Sequence, residues 1–186
     1  MAIFASGSGT NAEAIVQYFS AKAEINVELI LTNNPEAFVL NRAKNLMIPS
    51  MVFDRPQFKN GKVLEVLNNH EIDYIVLAGF LWLVPREMIA SFENKIINIH
   101  PSLLPKYGGK GMYGSRVHQA VIDAGDQESG ITIHLVDEIY DNGKILCQES
   151  ILIQDDDDPD SLATKIHELE YKFFPKTIEN YILTNT

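Results

Sequence analysis

Residues Ala2-Ile3-Phe4-Ala5-Ser6-Gly7-Ser8-Gly9-Thr10-Asn11 place an apolar triplet directly before a glycine-rich turn. The turn leads into Asn11 to Phe19, where apolar residues recur at helical spacing. Strand, tight turn and helix in that order is how a βαβ unit begins. The glycines let the backbone bend sharply and come close to an anion, and the free amides at the helix terminus, with the Thr10 hydroxyl, suit phosphate oxygens. The same residues also serve as a plain strand-to-helix turn with an N-cap. They are not a Walker loop, having no Gly-Lys-Thr, and the third glycine position of a dinucleotide fingerprint is Ala12.

The alternation continues outward from this stretch. Val27 to Leu31, Ser50 to Phe53, Tyr74 to Ala78 and Ile96 to Ile99 read as short strands buried on both faces. Glu36 to Asn45, with Asn33-Asn34-Pro35 as its start signal, Gly61 to His70 and Arg86 to Phe92 read as the helices between them. After Gly114 a helix is predicted over Ser115 to Ala124, strands over Ile131 to Val136 and Lys144 to Ile153, and a closing helix over Ser161 to Tyr181, bent at Pro175. Asp155 to Asp158 reads as a solvated charge run leading into that helix rather than a metal site. The fold class expected is α/β: a Rossmann-like, mostly parallel sheet with helices on both faces and a C-terminal β-ribbon extension. With 186 residues and no composition break, a single domain over residues 1–186 is expected.

A formal net charge of −10 argues against nonspecific binding to nucleic acid or to an anionic membrane surface. The one cysteine, Cys147, sits among apolar residues and is expected to be a buried thiol, which excludes an internal disulfide or a cysteine-built zinc site. No basic stretch followed by an apolar run opens the chain, and no window approaches the roughly 18 apolar residues of a membrane span. A soluble, cytoplasmic protein with no nucleic-acid or membrane partner and no metal is the expectation.

Asn98-Ile99-His100-Pro101-Ser102-Leu103-Leu104-Pro105 carries the chemistry. Strand alternation points Asn98 and His100 from one face, and the two prolines stiffen the exit. A carboxamide donates to a developing oxyanion, an imidazole moves a proton near neutral pH, and a carboxylate partner favours its charged form: the equipment of acyl transfer. Asp141, in Asp137-Glu138-Ile139-Tyr140-Asp141-Asn142-Gly143, is a candidate for that carboxylate, although Asp-Asn-Gly also reads as a hairpin turn. Leu77-Ala78-Gly79-Phe80-Leu81-Trp82-Leu83-Val84-Pro85 lies where a parallel sheet opens its ligand crevice and either receives a flat ring or packs as core.

Together these pieces resemble the folate-dependent formyltransferases over nearly the whole chain, most specifically at Ser6 to Asn11, Ala78-Gly79-Phe80, Asn98 to Pro105, and Gly130 through His134 to Asp141 and Gly143. The resemblance is strongest to the branch that formylates 5'-phosphoribosylglycinamide in purine biosynthesis. It implies the formyltransferase fold, 10-formyltetrahydrofolate as co-substrate and Asn98, His100 and Asp141 as the catalytic trio. It further implies Gly9, Thr10, Asn11, His167 and Glu170 for the ribonucleotide. Leu81, Trp82, Leu83, Val84, Asn98, Asp137, Glu138, Ile139, Tyr140 and Asp141 are implied for the folate, with Arg55 as counterpart of a folate-contacting arginine and His134 facing the site. Two departures stand out: only five residues precede Ser6, and the loop Lys106 to Gly114 is long and glycine-rich, as a lid over substrate would be. A monomer or weak homodimer is expected. Rivals are a methionyl-tRNA formyltransferase or a formyltetrahydrofolate hydrolase, each expected to need a further domain. A sugar-nucleotide N-formyltransferase differs only in its amine, and a regulatory module binding phosphoribosyl compounds is the non-enzymatic alternative.

Overall fold

The computed structural model describes residues 1–185, which form two compact units divided after Asn98. In the first unit, β1 (Ala2–Phe4), β2 (Leu29–Thr32), β3 (Ser50–Val52), β4 (Ile75–Leu77) and β5 (Ile96–His100, which runs on past the unit's end) alternate with helices. The order β3-β2-β1-β4-β5 is parallel throughout, with Ala2 opposite both Leu29 and Ile75 and Leu77 opposite Asn98. Strands buried on both faces need apolar residues at every position, and Ile3, Phe4, Ile30, Leu31, Ile75, Ile96 and Ile97 are all but inaccessible. Burying each such side chain contributes about 1.5–3 kcal/mol. The strand order reverses around β1, so the loops that leave β1 and β4 are neighbours at the carboxyl edge, where open parallel sheets bind ligands.

The helices of this unit are α1 (Thr10–Phe19), α2 (Val39–Asn45), α3 (Arg55–Lys59), α4 (Lys62–Asn69) and α5 (Arg86–Ser91). α1 buries Ala12, Ile15, Val16 and Phe19, one stripe at helical spacing. α2 starts later than Asn33-Asn34-Pro35 suggested. Asn34 Oδ1 accepts from the Glu36 N–H and Asn34 C=O from the Ala37 N–H, which closes a separate turn before the helix. α3 is absent from the sequence reading, although Asp54 and Gln57 form a full capping box around Pro56.

The second unit holds α6 (Ser115–Ala124), β6 (Glu128–Leu135), β7 (Ile145–Leu152) and α7 (Pro159–Thr184). β6 and β7 form the predicted antiparallel ribbon, with an irregularity between Ile133 and His134. Gly143 in the connecting hairpin is required by close approach, since a Cβ there would lie 1.8 Å from the Leu135 carbonyl oxygen. α7 is longer than predicted at both ends. It begins with a capping box from Asp158 to Ser161 and Pro159 in its first turn. Asp157, read as part of a solvated run, is instead enclosed. Its side chain is 4% exposed and accepts from Lys165, Ser161 and the Gln154 N–H. Cys147 is half-buried rather than buried, because β7 shows an alternating and only partly covered face. No helix among the described residues is long and apolar enough to cross a membrane.

Candidate active site

In the second unit His100, 4% exposed, comes to rest at the end of β5 between two acceptors. Its Nε2 lies 2.7 Å from the Tyr107 carbonyl, and its Nδ1 lies 3.5 Å from Asp141 Oδ2. A carbonyl only accepts, so Nε2 carries a proton; a carboxylate beside Nδ1 favours a second one there. Burial opposes that charge and is the largest influence, so the His100 pKa lies below its ordinary value, although Asp141 and the Tyr107 carbonyl both pull it upward. The sequence reading anticipated the pull of Asp141 but not the larger cost of enclosure.

Asp141 is itself strongly held. Its other oxygen lies 3.7 Å from His134 Nε2, and Oδ2 accepts the Gly109 N–H at 2.9 Å. Burial would push its carboxyl upward, but the His134 hydrogen bond, the His100 ring and the Gly109 N–H together hold it below the usual carboxylate range. Asp141 therefore stays ionised between two imidazoles, and at φ 54 it occupies the left-handed region that aspartate tolerates better than most side chains. His134 joins this cluster, with Nδ1 2.8 Å from the Leu135 carbonyl. Sequence reasoning missed Tyr107 and Gly109, since both act through backbone atoms and no residue type announces that.

The stiff exit after His100 is braced from within the same unit. The Thr132 hydroxyl donates to Ser102 C=O at 2.7 Å and accepts from the Leu104 N–H at 3.0 Å, while Gln148 Nε2 donates to Leu104 C=O at 3.0 Å. On α7, His167 Nδ1 lies 3.8 Å from Glu170 Oε2, and Glu170 is buried. His118 on α6 is a further histidine the sequence reading passed over. It is 3% exposed with Nδ1 unbonded, and burial, with the charges of His167 and His100 beside it, lowers its pKa to about 4.

In the first unit the turn after β1 is held from one side. Ser6, Gly7 and Ser8 carbonyls accept from Asn34 Nδ2 (3.4 Å), the Val39 N–H (3.2 Å) and Arg42 Nε (2.9 Å) respectively. In a trans peptide the N–H of the next residue points opposite to the carbonyl, so the Gly7 N–H turns away from Asn34 and the Ser8 and Gly9 N–H groups turn away from α2. Backbone N–H groups so turned at the start of a helix can receive an anion. Gly9, at φ 74, caps α1 in the left-handed region with no side-chain cap, and a Cβ there would sit 2.4 Å from Val39 Cγ2. Thr10 and Asn11 open the helix. Arg42 also pairs with Glu13 across the start of α1.

The loop after β4 presents Leu81 and Leu83 to solvent, 43% and 44% exposed, while Val84 is buried. Beneath it Phe4, Phe53, Phe58, Phe80 and Trp82 pack edge to face or tilted, with centroids 5.1–6.3 Å apart. The Arg55 guanidinium stands over Trp82, 4.6 Å from the ring centroid, so the arginine carried over by resemblance is placed beside the apolar loop. Of the acidic loop, Asp137 anchors the Ile139 N–H and Asn142, whereas Ile139 is 64% exposed.

Asn98, half-buried, ends the first unit two positions before His100 on the same strand. The sequence pattern of the formyl transferase family matches residues 1–178. This chain belongs to the formyl transferase family. It is 36% identical over 190 residues to a phosphoribosylglycinamide formyltransferase of Bacillus subtilis, covering 99% of this chain and 95% of that protein. Chloroplastic proteins of the same name from Arabidopsis thaliana and Vigna unguiculata are 36% and 39% identical over 96% of the chain, which spans 63% and 59% of their lengths. The crystal structure of a phosphoribosylglycinamide formyltransferase from Bacillus halodurans superposes with a TM-score of 0.87 at 38% identity, covering 96% of this chain and 93% of that one. The α/β class and mostly parallel sheet predicted from the sequence are those of this fold, and the formyl transferase family is the one the motifs pointed to.

Proposed function

We propose that the chain transfers the formyl group of 10-formyltetrahydrofolate to the glycinamide amine of 5'-phosphoribosylglycinamide, with residues 1–186 acting as one formyltransferase domain in the cytoplasm. The observation that carries this reading is His100 held on Asp141, which His134 and the Gly109 N–H keep ionised. The amine attacks the formyl carbon, and the carbonyl oxygen becomes an oxyanion. It accepts hydrogen bonds from the Asn98 amide and from His100 Nε2–H, taking over the bond that the Tyr107 carbonyl now receives. As negative charge grows beside the ring, a second proton on Nδ1, facing Asp141, becomes favourable and the imidazolium stabilises the intermediate. Collapse breaks the bond from carbon to the folate nitrogen; the amine loses one proton and that nitrogen gains one.

In the first unit the Gly7 to Asn11 cradle binds the ribonucleotide phosphate, with Gly9, Thr10 and Asn11 in contact; in the second unit His167 and Glu170 are ribonucleotide-binding residues by the family resemblance. In the first unit the exposed Leu81 and Leu83, with Trp82 and Val84, receive the pterin, and Arg55 holds an anionic part of the folate; in the second unit residues Asp137 to Asp141 are folate-binding residues by the family resemblance. The test is a direct assay with both substrates, following tetrahydrofolate release. Turnover with phosphoribosylglycinamide and none with an amino-sugar nucleotide supports the reading; the reverse overturns it.

A further inference from the structure

We propose that Ser6 couples the two substrate loops of the first unit, so that phosphate captured by the cradle and pterin captured by the apolar loop each strengthen binding of the other. This rests on the formyl-transfer reading above. The loops leave the adjacent strands β1 and β4. They are joined by two bonds from one residue: the Ser6 N–H donates to Gly79 C=O at 3.0 Å, and Ser6 Oγ accepts the Leu81 N–H at 3.1 Å. The same hydroxyl donates to Asn33 Oδ1 at 2.6 Å.

Leu81 N–H, Ser6 O–H and Asn33 carbonyl thus form a relay in which each bond polarises the next, inside a residue that is 8% exposed. Ser6 also begins the cradle. The peptide plane that aims the Gly7 N–H at an anion carries the Ser6 carbonyl, which Asn34 Nδ2 holds from behind at 3.4 Å. An anion that pulls on the Gly7 N–H therefore acts on the residue whose hydroxyl fixes the backbone of Leu81. Leu81 and Trp82 are the side of the pterin loop that Ser6 anchors, so ordering either loop lowers the cost of ordering the other. The Ser6 hydroxyl ties the Leu81 backbone of the β4 loop to Asn33 from a residue that itself begins the cradle.

Trp82 is the single tryptophan of the chain and adjoins Leu81, so its emission reports on the pterin loop. The experiment titrates ribose 5-phosphate into the full chain, by calorimetry and by Trp82 fluorescence, with and without saturating tetrahydrofolate. In the wild-type chain, ribose 5-phosphate alone shifts the Trp82 emission, and tetrahydrofolate tightens its binding about fivefold, the low end of typical coupling between sites. Ser6→Ala still binds both ligands, but the coupling factor falls to one and the sugar phosphate no longer moves Trp82; Ser6→Thr restores both. Asn33→Ala, which removes the acceptor of the relay, weakens the coupling in the same direction and serves if Ser6→Ala does not fold. Equal coupling in wild type and both variants overturns the proposal, as does independent binding in the wild type. A wild-type chain that binds neither ligand overturns the formyl-transfer reading along with it.

Discussion

His118 makes a prediction in which sign and size both follow from the structure. Its ring is 3% exposed, Nδ1 has no hydrogen-bond partner, and burial with the neighbouring His167 and His100 lowers its pKa from 6.5 to about 4. The folded state therefore binds fewer protons at this position than the unfolded chain. Its contribution to stability is fully present above pH 6.5 and is lost as pH falls toward 4. At about 1.4 kcal/mol for each tenfold change in proton affinity, the loss by pH 4 is about 3 kcal/mol, which solvent screening trims to about 2. His118→Leu keeps the volume, removes the titration and sacrifices no hydrogen bond at Nδ1. Urea unfolding at pH 7 should then place the variant within about 1 kcal/mol of wild type. Between pH 6.5 and 4 the wild-type stability should fall about 2 kcal/mol more steeply than that of His118→Leu. Parallel curves for the two proteins would refute the enclosure of a neutral imidazole on α6.

Other perturbations reach the remaining parts of the site. Gly9→Ala forces a side chain into a left-handed position costing about 1–2 kcal/mol and drives a Cβ to 2.4 Å from Val39 Cγ2, so the KM for the ribonucleotide should rise about tenfold or more while folate binding measured without the ribonucleotide changes little. An unaltered KM would contradict the cradle. Asp141→Asn removes the charge that draws the His100 pKa upward, so the His100 titration followed by NMR should move to still lower pH; a move to higher pH would be inconsistent with the pair. Gly143→Ala meets the Leu135 carbonyl oxygen at 1.8 Å and should destabilise the hairpin by about 1–3 kcal/mol, lowering Tm and turnover together because the same hairpin carries Asp141. A variant with normal Tm would show that the hairpin relaxes freely.

The parallel unit was legible because its signals are local. The Ala2 to Phe4 triplet, the glycines after it and the Ile and Val runs at β4 and β5 each fix their own element, with ends misjudged by a residue or two. α3 escaped because its five residues are too short to show a period, and only Asp54, Pro56 and Gln57 marked it. α2 was started too early because Asn34-Pro35 initiates a turn as readily as a helix. In the site, Asn98 and His100 were readable from strand alternation, whereas no spacing links residue 100 to residue 141; the resemblance supplied that link. The backbone atoms of Tyr107 and Gly109 that complete the cluster, and the enclosure of His118, depend on packing and leave no mark in residue type.

The central claim is that Asn98 and the Asp141-held His100 stabilise the oxyanion of formyl transfer. Its most direct test is the rate of tetrahydrofolate release from 10-formyltetrahydrofolate and phosphoribosylglycinamide, measured for wild type, Asn98→Ala and His100→Ala with circular dichroism confirming the fold. Loss of one oxyanion donor lowers turnover by about 10² to 10³, and each variant should show at least that loss in kcat. Near wild-type turnover in either folded variant would contradict the role assigned to that residue.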